Sequence, residues 1–189
     1  MANKVKFGLC NVHVAPITTN SNSGVTYGTP FAVPGAVNLT LDPEGESADF
    51  FGDNTNYFSD SANQGYSGSL ELALITDEFR TKILGESTDS NGAFTESTND
   101  KIVGFALGFQ IDGDETNRKF WFYNVSAERP STSSKTVENS KEPSTDTLNI
   151  KAKPRISDNK VRTFMEKTTE NTTAYNSFFD AVYEPVVSA

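Results

Sequence analysis

The chain has one cysteine, one histidine and one tryptophan among its 189 residues. A lone cysteine excludes an internal disulfide framework. One cysteine with one histidine excludes a zinc cluster of the Cys/His type. No apolar run approaches the roughly 18 residues of a membrane span. The opening Met-Ala-Asn-Lys-Val-Lys leads into strand-like alternation rather than a signal peptide. The expectation is a chain made and kept in a cytoplasm, or leaving it without a cleaved signal, with no membrane partner. The Asn-x-Ser/Thr triplets at Asn38, Asn124 and Asn171 then read as chance matches. Basic residues are scarce in one half: residues 1–100 hold 4 bases against 13 acids, while 101–189 hold 12 of each, for a net charge of −9. That balance argues against a protein that grips nucleic acid, which needs a basic face. The asymmetry suits head-to-tail contact between copies, although moderate acidity also serves solubility alone.

What the chain does have is 57 Ser, Thr and Asn residues and 14 Phe, with only 35% hydrophobic residues overall. Aromatic and hydroxyl-rich composition favours half-exposed strands over long helices. Val5, Phe7 and Leu9 alternate in one parity and Val12 and Val14 in the other, so a bulge is expected near Cys10–Asn11. Val37, Leu39 and Leu41 predict a strand, and so do Tyr66, Gly68, Leu70, Leu72 and Leu74, with the apolar residues of both expected to face the core. A short helix is expected from Asp77 to Ile83, capped by Thr76 and ended by Gly85. Residues 86–100 read as a polar hairpin around Asn91-Gly92. Phe105–Ile111 and Phe120–Ala127 form a hairpin pair. Trp121 and Tyr123 face opposite to Phe120 and Phe122, so something must cover each side of that strand. Leu148, Ile150 and Ala152 mark a further strand, and a last helix is expected over 174–183, with Tyr175, Phe178, Phe179 and Val182 on one face. About seven strands with one or two short helices make a mainly β chain, a two-sheet β-sandwich or barrel, in a single domain over 1–189.

Segment 44–64 stands apart. It carries Glu46, Asp49, Asp53 and Asp60 with Phe50, Phe51, Tyr57 and Phe58, and no Lys or Arg. Long connections in compact domains are functional or disordered, and four large aromatics disfavour disorder. An extended hairpin that docks on a neighbour uses both features.

Catalytic chemistry finds little support. His13 reads as a surface or interface residue and Cys10 as a small packed one. Asp112, Asp114, Thr116 and Asn117 mimic the start of a calcium loop, but the sixth place is Asn117 rather than Gly and the twelfth is Tyr123 rather than Glu, so a hairpin turn is expected. A carboxylate pair for glycoside chemistry lacks the Trp-rich cleft that usually holds it. Gly65–Gly68 enters a strand, not the helix that a phosphate loop requires. Residue chemistry alone gives a β-rich, self-associating domain that is not an enzyme.

Several stretches, taken in order, carry a likeness. They are Asn3 to Leu9 with Asn11-Val12-His13, Pro34-Gly35-Ala36-Val37 through Leu41, and Glu44-Gly45-Glu46-Ser47. Asn63 with Gly65-Tyr66-Ser67-Gly68 and Leu70 to Leu74 follow, then Phe79-Arg80 and Leu84-Gly85. Phe105-Ala106-Leu107, Tyr123-Asn124, Ala127 and Arg129-Pro130 come later. The succession resembles the major tail protein (tail tube protein) family of long non-contractile-tailed bacteriophages, the siphophages, of Gram-positive hosts. The likeness is weakest over 155–172. The resemblance implies a tail-tube β-sandwich with a flanking short helix, a projecting stacking loop over 44–64 and a C-terminal helix and arm over 174–189. It implies hexameric rings that stack into a virion tube, made in the host bacterial cytoplasm. The tube assembles around a tape-measure protein, joins tail terminator and distal tail proteins, and conducts DNA from capsid to host without specific binding. No cofactor, metal or catalytic residue is implied.

Within that picture Glu46, Asp49, Phe50, Phe51, Asp53, Tyr57 and Phe58 are expected at the inter-ring contact. Asn38, Thr40, Ser67, Ser69 and Glu71 are expected to face the lumen. At −9 per copy a lumen repels phosphate, whereas a basic one would hold DNA through counterion release. Two other readings remain open: a different virion β-sandwich, such as a head-decoration or adhesion protein, and a carbohydrate-binding β-sandwich with Trp121 and Tyr123 as its platform.

Overall fold

A computed structural model of the chain describes residues 7–113, 117–132, 136 and 144–186, without the side chains of 47–52, 56 and 59–61. Val5, Asp114, Thr116 and the last residues of the expected arm lie outside the described set. The chain is mainly β. In order, the elements are β1 (Leu9–Ser21), β2 (Gly24–Tyr27), β3 (Phe31–Ala32), β4 (Ala36–Glu44), β5 (Ser47–Gly52), β6 (Thr55–Ser61) and β7 (Gly65–Leu72). Then come α1 (Asp77–Phe79, continued by a π turn over Arg80–Leu84), β8 (Ser87–Thr88), β9 (Phe94–Thr95), β10 (Phe105–Ile111), β11 (Lys119–Ala127), β12 (Asp146–Ala152), β13 (Arg162–Met165) and α2 (Thr172–Asn176).

Among the described residues nine strands share one antiparallel sheet. Its main path runs β2-β1-β10-β11-β12-β7-β4, with β3 beside β1 and β13 beside β11. β11 is the branch point. Its first half pairs β13 (Phe120 with Phe164) and its second half pairs β12 (Val125 with Ala152) along the same edge. Beyond the fork the β12-β7-β4 branch swings over the β1-β10-β11 branch, and the main core lies between them. Val12, Val14, Leu107, Phe122, Leu148, Ile150, Leu70 and Leu72 meet there. The helix closes one end with Phe79, Ile83 and Leu84, Phe79 meeting Phe105 edge-on at 5.7 Å.

Local chemistry explains several elements. The extra residue expected near Cys10–Asn11 is present: pairing shifts between Cys10 and His13, and Asn11 has φ +52°, so Leu9, Val12 and Val14 all reach the core. Thr76 caps α1 by accepting from the Phe79 amide at 3.3 Å, Glu78 and Lys82 pair at 2.6 Å, and Gly85 ends the element in the left-handed region.

Three expectations fail. Val37 is 54% exposed, because a bulge between Ala36 and Asn38 hands its inward place to Ala36. Leu74 is 69% exposed, because β7 stops at Leu72 and Ile75 is the residue that turns in. The last helix covers only Thr172–Asn176, not 174–183. Beyond it the chain turns and lies across the sheet, as described next.

Candidate assembly surfaces

The outward face of the β4-β7-β12 branch is built in rows. Asn38, Glu71 and Thr147 stand side by side across the register, then Thr40, Ser69 and Asn149, then Asp42, Ser67 and Lys151. Strand alternation puts all nine on the side opposite Leu70, Leu148 and Ile150. The five residues expected on a common polar face, Asn38, Thr40, Ser67, Ser69 and Glu71, are therefore neighbours. Glu71 is half-buried and accepts from Thr145 Oγ1 at 2.6 Å. Lys151 stands at the far side of these rows. Its Nζ is 3.8 Å from Glu128, the residue that follows β11, so its charge is locally balanced. The outer edge of β4 carries no strand among the described residues.

The 44–64 segment is a hairpin. β5 and β6 pair only with each other, and Asp53 and Asn54, with φ of +51° and +58°, make the two-residue turn whose twist matches that of the strands. At its root the Gln64 amide donates to Glu44 O (2.8 Å) and the Ala62 amide to Glu46 O (3.1 Å), which carries the β4–β7 ladder on into the hairpin. Glu46 and Asp53 are exposed, and Tyr57 and Phe58 are 81% and 58% exposed. The side chains of Asp49, Phe50 and Phe51 lie outside the described set.

The C-terminal segment forms a strap over the second face of the sheet. Ala15, Ala106, Trp121 and Tyr123 are covered there by Phe178, with Phe179, Val182 and Tyr183 packed alongside. Three alternate residues of β11 each donate to a strap carbonyl: Lys119 Nζ to Tyr175 O (2.8 Å), Trp121 Nε1 to Phe178 O (2.8 Å) and Tyr123 Oη to Tyr183 O (2.9 Å). Lys119 also lies over the Tyr175 ring at 4.2 Å, and burial pulls its ammonium below the usual lysine range. Arg155, 4% exposed, stacks on Tyr123 at 4.2 Å, pairs with Asp158 (2.6 Å) and reaches Glu184 of the strap. Burial raises the Tyr123 and Tyr27 hydroxyls, so both stay protonated donors.

Sequence reading saw that Trp121 and Tyr123 needed a cover but not that Lys119 and Arg155 bind it. The available signal was the i, i+2 spacing of Lys119 with that pair. Burial of Trp121 and Tyr123, both at 0% exposure, removes them as a solvent-facing platform for a sugar ring. Strap burial likewise takes Tyr175 and Phe178 away from intermolecular contact.

His13 stacks on Phe179 of the strap at 4.6 Å, and its Nδ1 is 2.8 Å from Asn11 O. Burial first, then the Asp112 carboxylate, raises the Cys10 thiol, which favours its neutral form. Among the described residues no three His, Cys, Asp or Glu side chains converge as metal ligands, and no helix is long and apolar enough to cross a membrane.

The strap's polar anchor is acid-sensitive. The Arg155 guanidinium holds the Asp158 carboxyl down to about 2, against an ordinary value of about 4. Lys160, 3.1 Å away, acts in the same sense. A depressed carboxyl contributes stability that is fully present above its unfolded value and is lost as pH falls through its folded one. Between about pH 4 and pH 2 the strap should therefore loosen. An acid titration followed by Trp121 fluorescence should show a limb there that Asp158→Asn removes. An unchanged limb in that variant would place the acid sensitivity elsewhere.

No protein-family model and no curated protein matches this sequence.

Proposed function

We propose that the chain is a tail-tube protein of a siphophage. It polymerises as stacked hexameric rings into the virion tail and conducts DNA from capsid to host. The observation that carries this reading is the three-strand polar face beside an edge of β4 that no strand pairs among the described residues. A passage for a polyanion needs small, neutral or acidic side chains, and the one lysine in the rows of that face has a glutamate partner. An open edge at β4 is a liability in a free monomer, and ring closure against the next copy abolishes it. The order of resembling segments supports the same conclusion, and so does the projecting, base-free hairpin. On this reading the tape-measure protein occupies the lumen, terminator and distal tail proteins cap the ends, and the chain catalyses nothing.

Negative-stain microscopy of concentrated protein, and of tails from infected cells labelled for this chain, tests the proposal. Hollow tubes of regular striation are expected. Trimers, or labelled capsid surfaces, would replace the reading with a head-decoration role.

Two variants probe its parts. Deleting 48–60 removes only a ribbon that pairs with itself, so a folded monomer with an unchanged thermal midpoint and no tubes is expected. Normal tubes from the deletion would show that stacking lies elsewhere. Glu71→Lys shifts each copy by two charges in the middle of the polar face. Tails should form at normal yield while DNA release, followed by a dye outside the capsid, slows. Release at the wild-type rate would take Glu71 out of the lumen.

A further inference from the structure

The fork at β11 leaves an apolar cleft open where β4 and β13 end the two branches. Leu39 and Leu41, Phe120 and Phe164 form its walls, and its volume is about 380 Å³. Phe164 is 51% exposed and the two leucines are half-buried, so the cleft is a break in the cover of the core. Its lining carries two arginines and no acid. Arg118 pairs with Glu166 at 2.6 Å. Arg162 lies over the Tyr66 ring at 5.3 Å and has no carboxylate partner among the described residues.

The same chain displays a projection of complementary character. The β5–β6 hairpin leaves the sheet along the β4–β7 ribbon. It presents Tyr57 and Phe58 to solvent, and segment 44–64 contains five acids and no base. An aromatic, acidic hairpin and an aromatic, arginine-bearing cleft on one chain match in both apolar character and charge. We propose that the cleft receives the hairpin of a second copy, with Tyr57 and Phe58 entering between the walls and the hairpin's carboxylates facing Arg162. This rests on the self-assembly reading above and supplies its acceptor surface. Donor and acceptor are different patches, so the contact is heterologous: each copy gives one hairpin and takes one, and the series does not close at two.

That geometry gives a complementation test. One variant, Tyr57→Ser with Phe58→Ser, has a dead hairpin and an intact cleft. Another, Arg162→Glu with Phe164→Ser, has a dead cleft and an intact hairpin. Arg162→Glu alone serves if the double cleft variant melts early. Sedimentation velocity of the full chain is expected to show wild-type mass rising with concentration. Each variant alone should stay at one chain. An equimolar mixture should double in mass, one chain of each kind, and stop there, because such a pair has no working hairpin-and-cleft set left to extend it. A mixture that remains at one chain overturns the inference, as does either folded variant assembling like wild type, or a wild-type chain that never associates. The two readings separate cleanly. Hollow tubes made by the cleft variant remove this contact and leave the tube, whereas capped pairs from a chain whose wild type builds no tube remove the tube and leave the contact.

Discussion

Trp121→Ala is expected to destabilise the chain by about 3–5 kcal/mol, the range for removing a large aromatic from a packed interior. Trp121 is fully buried between the sheet and the strap, edge-on to Phe179 at 5.7 Å, and its indole donates to Phe178 O at 2.8 Å. It also fills the space over Gly108, where a Cβ would come within 2.9 Å of the ring, so no neighbour on that strand can grow into the gap. The loss therefore combines transfer, cavity and hydrogen-bond terms, and it falls on the face that only the strap covers. Trp121→Phe keeps most of the volume and drops the donor, so it should cost nearer the roughly 1–3 kcal/mol of leaving one buried acceptor unpaired. Urea unfolding of both variants checks the ranking. Limited proteolysis should cut the Ala variant first within 172–186. Equal midpoints for Ala and Phe would mean that the strap is held by Arg155 and Lys119 and that the indole packing adds little.

The same strand shows what sequence can and cannot reveal. Alternation along 119–127 fixes which residues share a face, because the strand period is two, and the expectation that both faces need a cover follows directly. What covers the second face depends on contacts 56 to 60 residues further along the chain, and no local period encodes that. Segment 174–183 has helical spacing of Tyr175, Phe178 and Phe179. The side chains of Lys119, Trp121 and Tyr123 claim the carbonyls of Tyr175, Phe178 and Tyr183 instead, and the helix ends at Asn176. Tertiary donors have overridden local propensity. The bulge at Asn11 was legible because apolar parity switches across it, whereas the bulge at Val37 was not. A valine in phase with Leu39 and Leu41 gives no sign that one residue will be left over. The polar rows on β4 and β7 were legible for the same periodic reason. The cleft was hidden because Leu39 and Leu41 read as ordinary core residues, and because no strand was expected where β13 brings Phe164 to the fork in the sheet.

Gly68→Val is expected to uncouple β4 from β7 and abolish assembly. Gly68 points inward in β7, opposite Leu41 on one side and Ile150 on the other. A Cβ built there would lie 2.0 Å from Thr40 O and 3.1 Å from Leu41 Cα. Both contacts are backbone, which cannot rotate away as a flexible side chain can. Glycine at this place lets β4 fold close over β7 as the branch curls towards β1. A valine must push β4 outward, at the roughly 1–3 kcal/mol or more of an overpacked site. The displacement acts on three surfaces at once. Asn38 and Thr40 leave their rows beside Glu71 and Ser69, Leu39 and Leu41 leave the wall of the apolar cleft, and the free edge of β4 changes direction. The main core loses only the edge packing of Ala36, Leu39 and Leu41, because Leu70, Leu72, Leu148 and Ile150 stay in place on β7 and β12. The variant should therefore remain folded, with a lowered midpoint and fast amide exchange confined to β4 and the hairpin it leads into. Gly68→Ala should show the same pattern more weakly. Hydrogen-exchange mass spectrometry together with sedimentation tests the pair. A valine variant that assembles normally with protected β4 amides would show that β4 has room to move, and that the close approach at Gly68 is not what sets the shape of the polar face.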